Sequence, residues 1–110
     1  MFSINGSDIS LTRGDTLILQ IAMERDGEPV TPQEGERVRF AMKNRHTDPD
    51  DEVLILKEIP IDTLILEIEP EDTKSLKFNK TYVYDIEYTD IFGHVDTFIE
   101  GLFTIAKEVL

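Results

Sequence analysis

The sequence predicts an all-β domain, an immunoglobulin-like antiparallel β-sandwich of about seven strands. Three observations carry that expectation. Apolar residues recur with a period of two rather than the helical period of about 3.6. The alternating runs are separated by Gly, Pro and Asp pairs suited to turns. The chain is 110 residues long, which suits one hydrophobic core rather than two. Residues 1–110 are therefore expected to form a single sandwich domain, with the last strand running almost into Leu110.

Taken in order, a short strand is expected around Ile9–Leu11, followed by a turn at Arg13-Gly14-Asp15. Leu17, Leu19, Ile21 and Met23 then alternate with Ile18, Gln20, Ala22 and Glu24, a strand with one buried face. Asp26-Gly27 tolerates the positive φ angles of a tight hairpin, and Pro29 limits the returning strand to a short edge piece. Val38, Phe40 and Met42 alternate with Arg37, Arg39, Ala41 and Lys43, so that strand has an apolar inner and a basic outer face. Residues 44–52 contain Asp48, Asp50, Asp51 and Glu52 and nothing apolar, which predicts a mobile, solvated loop. Val53–Ile59 and Leu64–Glu69 read as strands, and Pro70 beside Glu71 and Asp72 suits a single helical turn. Tyr82, Tyr84, Ile86 and Tyr88 alternate with Val83, Asp85 and Glu87, and Val95–Ile105 completes a hairpin, with Gly101 a candidate bulge. If the strands containing Arg37–Lys43 and Tyr82–Tyr88 are neighbours, Arg37 and Arg39 share an outer face with Asp85 and Glu87, and opposite charges meet.

Charge and composition narrow the functional classes. Acidic residues number 23 against 11 basic ones, a formal net charge of -12, which repels nucleic-acid phosphates and anionic lipid surfaces. Neither nucleic acid nor membrane is expected as a partner. Cysteine is absent, which excludes disulfides, thiolate nucleophiles and cysteine-ligated zinc. Two histidines, His46 and His94, are too few for an all-histidine metal site within one chain. The stretch Met1–Gly6 lacks the basic and apolar regions of a secretory signal.

Each local motif has a functional and a plain reading. Arg13-Gly14-Asp15 spells an integrin-recognised tripeptide, but with no secretion signal or disulfide to support that reading, a glycine turn followed by a strand start is strongly preferred. The acids at Asp48, Asp50, Asp51 and Glu52 supply oxygen ligands for Ca²⁺ without an EF-hand's glycine and distal glutamate, so a hydrated acidic loop is preferred. Glu67 and Glu69, like Asp85 and Glu87, stand two apart along a strand and do not flank a cleft as hydrolytic carboxylates must. No nucleophile elbow, phosphate-cradling loop or dinucleotide fingerprint is present. The tyrosines, alternating with Asp85 and Glu87, are expected to point inward with their hydroxyls at the rim. No enzyme activity and no cofactor are expected. The interface candidates are the acidic loop, through Asp48, Asp50 and Asp51, and the hairpin residues Ile91 and Phe92, whose alternative role is to fold back as a plug over the sandwich end.

Gly14-Asp15-Thr16, Val38-Arg39-Phe40-Ala41-Met42-Lys43, Glu71-Asp72-Thr73, Tyr82-Val83-Tyr84-Asp85-Ile86-Glu87 and Gly93-His94-Val95-Asp96-Thr97 together resemble the N-terminal domain of phage baseplate upper proteins and related small prophage tail proteins. The resemblance spans nearly the whole chain and rests on short structural segments. It implies an immunoglobulin-like sandwich that anchors a receptor-binding or fibre module at the tail tip, with no catalytic residues to carry over. The sequence departs from the family by having no counterpart of its downstream helical or receptor-binding portion. The implied partners are other tail or baseplate proteins and further copies of the chain, and the implied location is the virion tail after synthesis in the bacterial cytoplasm. The competing expectation is a carbohydrate- or Ca²⁺-binding sandwich module.

Overall fold

A computed structural model describes residues 2–109 and shows an all-β chain. Its strands are β1 (Phe2–Asn5), β2 (Asp8–Thr12), β3 (Leu17–Gln20), β4 (Glu24–Arg25), β5 (Glu28–Pro29), β6 (Arg37–Lys43), β7 (Ile55–Ile59), β8 (Ile65–Ile68), β9 (Lys80–Thr89) and β10 (Val95–Ala106), with one helical turn, α1 (Pro70–Lys74). Six strands form a mixed sheet in the order β1-β2-β10-β9-β6-β7; β3 pairs with β8, and β4 with β5. All pairings are antiparallel except β2 with β10.

Period-two alternation places the core. Val38, Phe40 and Met42 of β6, Tyr82, Tyr84 and Ile86 of β9, and Phe103 and Ile105 of β10 point to one face and are buried with Leu17 of β3 and Leu66 and Ile68 of β8. The rings of Phe40, Tyr84 and Phe103 meet at centroid separations of 5.4–6.1 Å, the offset and edge-to-face contacts that aromatic quadrupoles favour. Burying Phe40 and Phe103 completely makes them the costliest side chains to truncate, at about 3–5 kcal/mol each. As the sequence predicts, tyrosine hydroxyls reach the rim: Tyr84 donates to the Ser7 carbonyl, and the Lys77 amide donates to the Tyr82 hydroxyl at 3.1 Å.

The charge complementarity between β6 and β9 is realised. Arg39 stands opposite Glu87 and Arg37 opposite Thr89, with an Arg39–Glu87 ion pair at 3.6 Å. Arg37 pairs instead across the other side of β6, with Glu58 of β7. Asp26 and Gly27 adopt φ of 53° and 80°, the left-handed pair that closes β4–β5. Pro70 opens α1, and the Glu69 amide donates to Asp72 Oδ2 at 2.7 Å, satisfying a free donor at the helix start.

Four details differ from the sequence reading. β1 was not foreseen, and it adds an edge strand through the Gly6 turn. The expected strand through Glu24 ends at Gln20, although Ile21 and Met23 remain buried; Leu64, with φ of 53°, ends the partner strand there. The bulge of β10 lies between Thr97 and Ile99, not at Gly101. Gly101 is required for a different reason: the β1–β2 turn crosses directly over it, and a Cβ there would collide with the Ser7 carbonyl group. Finally, the acidic loop folds into a defined turn with a short 3₁₀ segment at Asp50–Glu52.

Candidate functional site: the β9–β10 hairpin tip

β9 and β10 pair along their length and carry the turn 90–94 at one end. Asp90 organises this turn. Its Oδ1 accepts hydrogen bonds from the Phe92 and His94 amides, both at 2.9 Å, and its Oδ2 lies 3.1 Å from His94 Nδ1. The Gly93 amide donates to the Asp90 carbonyl, and the Asp90 amide to the His94 carbonyl, each at 3.0 Å. Gly93 has φ of 84°, a conformation that favours glycine. The His94 amide, followed by that of Phe92, holds the Asp90 carboxyl below the usual carboxylate range against an opposing effect of burial. The turn is thus fixed by one ionised side chain.

What this turn presents is apolar. Phe92 is 78% exposed, Ile91 62% and Val95 57%. These residues do not fold back over the core, so the plug reading is corrected. Asp90 takes up the Phe92 and His94 amides, and beside the exposed His94 ring the apolar side chains left outward are groups that gain from leaving water. At the base, Ile91 rests against Gly35, where an added Cβ would lie 3.4 Å from Ile91 Cγ2. Nearby Tyr88 is held as the neutral phenol, its pKa pushed up to about 12 by burial and then by Glu36.

The acidic loop lies elsewhere. Lys43, where the loop begins, stands opposite Val83, whereas Thr89, where the tip begins, stands opposite Arg37. Six residues of strand separate the two levels, about 20 Å, so the two predicted interface segments are not brought together. Within the loop, Lys43 Nζ donates to Asp50 Oδ1 at 2.7 Å and to the Asp48 carbonyl at 3.0 Å. The Arg45 amide donates to Asp48 Oδ2 at 3.1 Å. Lys43 holds Asp50 below the ordinary carboxylate range. Asp48 and Asp50 are therefore paired with the chain's own cations, Asp48 half-buried and Asp50, like Asp51, exposed. Among the described residues, no group of three or more His, Asp or Glu converges as metal ligands would.

Beneath this loop, on the outer face of β6 and β9, lies a pocket of about 210 Å³ lined by Arg39, Lys43, His46, Asp50, Asp85 and Glu87. Asp85 is pushed above its ordinary pKa, first by burial and then by Glu87 and Glu100. The sequence reading missed this pocket, although its signal was present: alternate outer positions of two facing strands carry opposite charges. The arrangement mostly neutralises itself, and Arg39 and Lys43 already face acids.

No protein-family model matches the chain, and no curated protein or solved structure matches it either.

The Arg13-Gly14-Asp15 tripeptide is built into the scaffold. Arg13 grips Glu108 through Nε and Nη2, donates from Nη1 to the Leu76 carbonyl at 3.1 Å, and stacks 4.8 Å from the Phe78 ring centroid. The Gly14 amide donates to Oγ1 of the fully buried Thr73 at 2.8 Å. Its arginine is thus committed to the chain's own C-terminal segment, which favours the turn reading over integrin recognition.

Proposed function

We propose that this chain is a non-enzymatic structural or adaptor protein of a phage or prophage tail, acting through protein-protein contacts with the β9–β10 tip as its docking knob. The observation that carries the reading is a rigid turn offering Ile91, Phe92 and Val95 to solvent. An exposed aromatic with aliphatic neighbours is the composition of an interface anchor. Fixing the turn beforehand removes part of the ordering entropy that a flexible loop would lose on docking. The tail assignment rests on the resemblance of the sequence to baseplate upper protein N-terminal domains. The net charge of -12 fits a component that stays dispersed until a matching partner is met.

The test is to mix the purified chain with the products of its neighbouring genes and measure mass by size-exclusion chromatography with light scattering. A stable complex with a tail or baseplate protein is expected. A chain that binds none of them contradicts the reading.

A further inference from the structure

The two ends of the β9–β10 hairpin differ in charge. Lys74, Lys77, Lys80 and Lys107 have no carboxylate partner among the described residues, whereas every other Lys and Arg pairs with an acid. These four lysines share one end of the molecule. Arg13 reaches the Leu76 carbonyl and the Phe78 ring, and Lys107 Nζ lies 5.2 Å from the centroid of the same ring. Lys80 Nζ lies 5.1 Å from the Tyr82 ring centroid, and the Tyr82 hydroxyl accepts from the Lys77 amide. Lys74 Cε comes within 3.8 Å of the position that a Cβ on Gly14 would take. Two acids of this end are already committed, Glu108 to Arg13 and Asp72 to Lys57. Phe78, 39% exposed, stands among the lysines. In a chain of 23 acids and 11 bases, gathering unpaired cations in one place costs the fold self-repulsion and gains it no ion pair.

The 90–94 tip lies at the other end of the same two strands. Lys80 stands opposite Ile105 and Thr89 opposite Val95, so about 30 Å of strand separates the two levels. Ile91 rests against Gly35, which places Glu34 and Glu36 on either side of the tip's base, and Glu36 faces the Tyr88 hydroxyl. Among the described residues Glu34, Glu36 and Asp90 have no Lys or Arg partner. Each end therefore presents an exposed aromatic ring, one rimmed by lysines and the other by acids. That is the complementarity of a head-to-tail contact, in which opposite charges set the register and apolar groups leave water. The net charge of -12 opposes association at a distance. At physiological ionic strength, however, the Debye length is about 8 Å, against a molecule 43 Å long, so charge remote from the contact is screened and charge within it is not.

We propose that copies of this chain stack head to tail, the β9–β10 tip of one seated among Lys74, Lys77, Lys107 and Phe78 of the next. The inference rests on the tip being a docking knob and names a second copy as what it docks on. A contact between two different surfaces does not stop at a dimer: it continues as an open run or closes as a ring. An open run leaves one terminal tip free for another tail protein. Sedimentation equilibrium of the full chain tests this over roughly 10 μM to 1 mM, the range of weak specific contacts. Its average mass should rise with concentration past that of a dimer. The variants are Phe92→Ser at the tip and Lys77→Glu with Lys107→Glu at the basic end, all at exposed positions. Each variant alone should associate at least tenfold more weakly than the parent. Mixed in equal amounts, they bring an intact basic end to an intact tip, and a dimer that grows no further should form with the parent's affinity. The inference is overturned if the parent stays monomeric throughout, if either variant associates as the parent does, or if the mixture yields no dimer. A parent that binds a neighbouring gene product without self-associating loses the stacking alone, whereas one that stacks and binds no such product loses the tail assignment alone.

Discussion

Replacing Gly101 with alanine inside β10 should destabilise the protein, although the same change at an unconstrained extended position stabilises by about 0.4–1 kcal/mol through the unfolded chain. The reason is local. A Cβ at 101 would overlap the Ser7 carbonyl oxygen, sit 2.9 Å from the Ser7 carbonyl carbon and lie 3.2 Å from Asp8 Oδ1. Ser7 is backbone in a tight turn and cannot rotate aside as a side chain could, so the β1–β2 turn has to lift. Lifting it breaks the Leu102 amide to Asp8 bond and the Tyr84 hydroxyl to Ser7 bond. Each is worth about 1 kcal/mol, and the steric displacement adds about 1–3 kcal/mol. After the unfolded-state gain is offset, a net loss of about 2–4 kcal/mol is expected. Urea unfolding followed by circular dichroism measures it: with an m-value of about 1.5 kcal/mol/M, the midpoint falls by roughly 1.3–2.7 M at unchanged m. An unchanged or raised midpoint would refute the close approach of the turn and the placement of β1–β2 over β10.

Three further outcomes follow from the same geometry. Thr73→Val removes the acceptor of the Gly14 amide in a fully buried position and should cost about 1–3 kcal/mol in urea unfolding, whereas Thr73→Ser should retain most of that stability. Asp85→Asn should raise the urea midpoint at neutral pH by the equivalent of no more than about 1 kcal/mol, since Asp85 is partly exposed. Burial, Glu87 and Glu100 raise its folded pKa, so its contribution is favourable below the unfolded value and is lost as pH rises through the folded one; the gain from Asp85→Asn should therefore vanish in acid. Glu108 behaves oppositely. Arg13 lowers its folded pKa, so the stabilisation is complete above the unfolded value of about 4.3 and disappears as pH falls through the lower folded value. A pH series of urea midpoints should show a shallower acid loss in Arg13→Met than in the parent chain, and parallel curves would contradict the Arg13–Glu108 linkage.

The fold was legible wherever the side-chain pattern itself encodes it. Alternation from Arg37 to Lys43 and from Tyr82 to Tyr88 names the buried face, and the charges on the other face name the neighbour. Asp26-Gly27 and Pro70 act through their own backbone preferences, so they too could be read locally. What depends on meeting a distant backbone could not. Gly101 looks like a bulge because glycine serves bulges and close approaches alike, and the Ser7 turn that decides between them is far away in sequence. The parallel pairing of β2 with β10 leaves no mark on alternation, since either direction buries the same face. At the tip, Ile91 and Phe92 stand out as apolar residues in a turn, but their exposure follows from Asp90 holding the amides, which a residue pattern does not disclose. The acidic loop looked solvated by composition; Lys43, belonging to the preceding strand, folds it back.

The central claim is that the tip is made for a partner and not for the fold, and paired stability and binding measurements on Phe92→Ser test it most directly. Phe92 is 78% exposed, so its removal should change unfolding free energy by no more than about 0.5 kcal/mol. Light scattering of the same variant with the products of the neighbouring genes should show that the complex formed by the parent chain is lost. A variant that unfolds markedly more easily, or that assembles as well as the parent, would contradict the account.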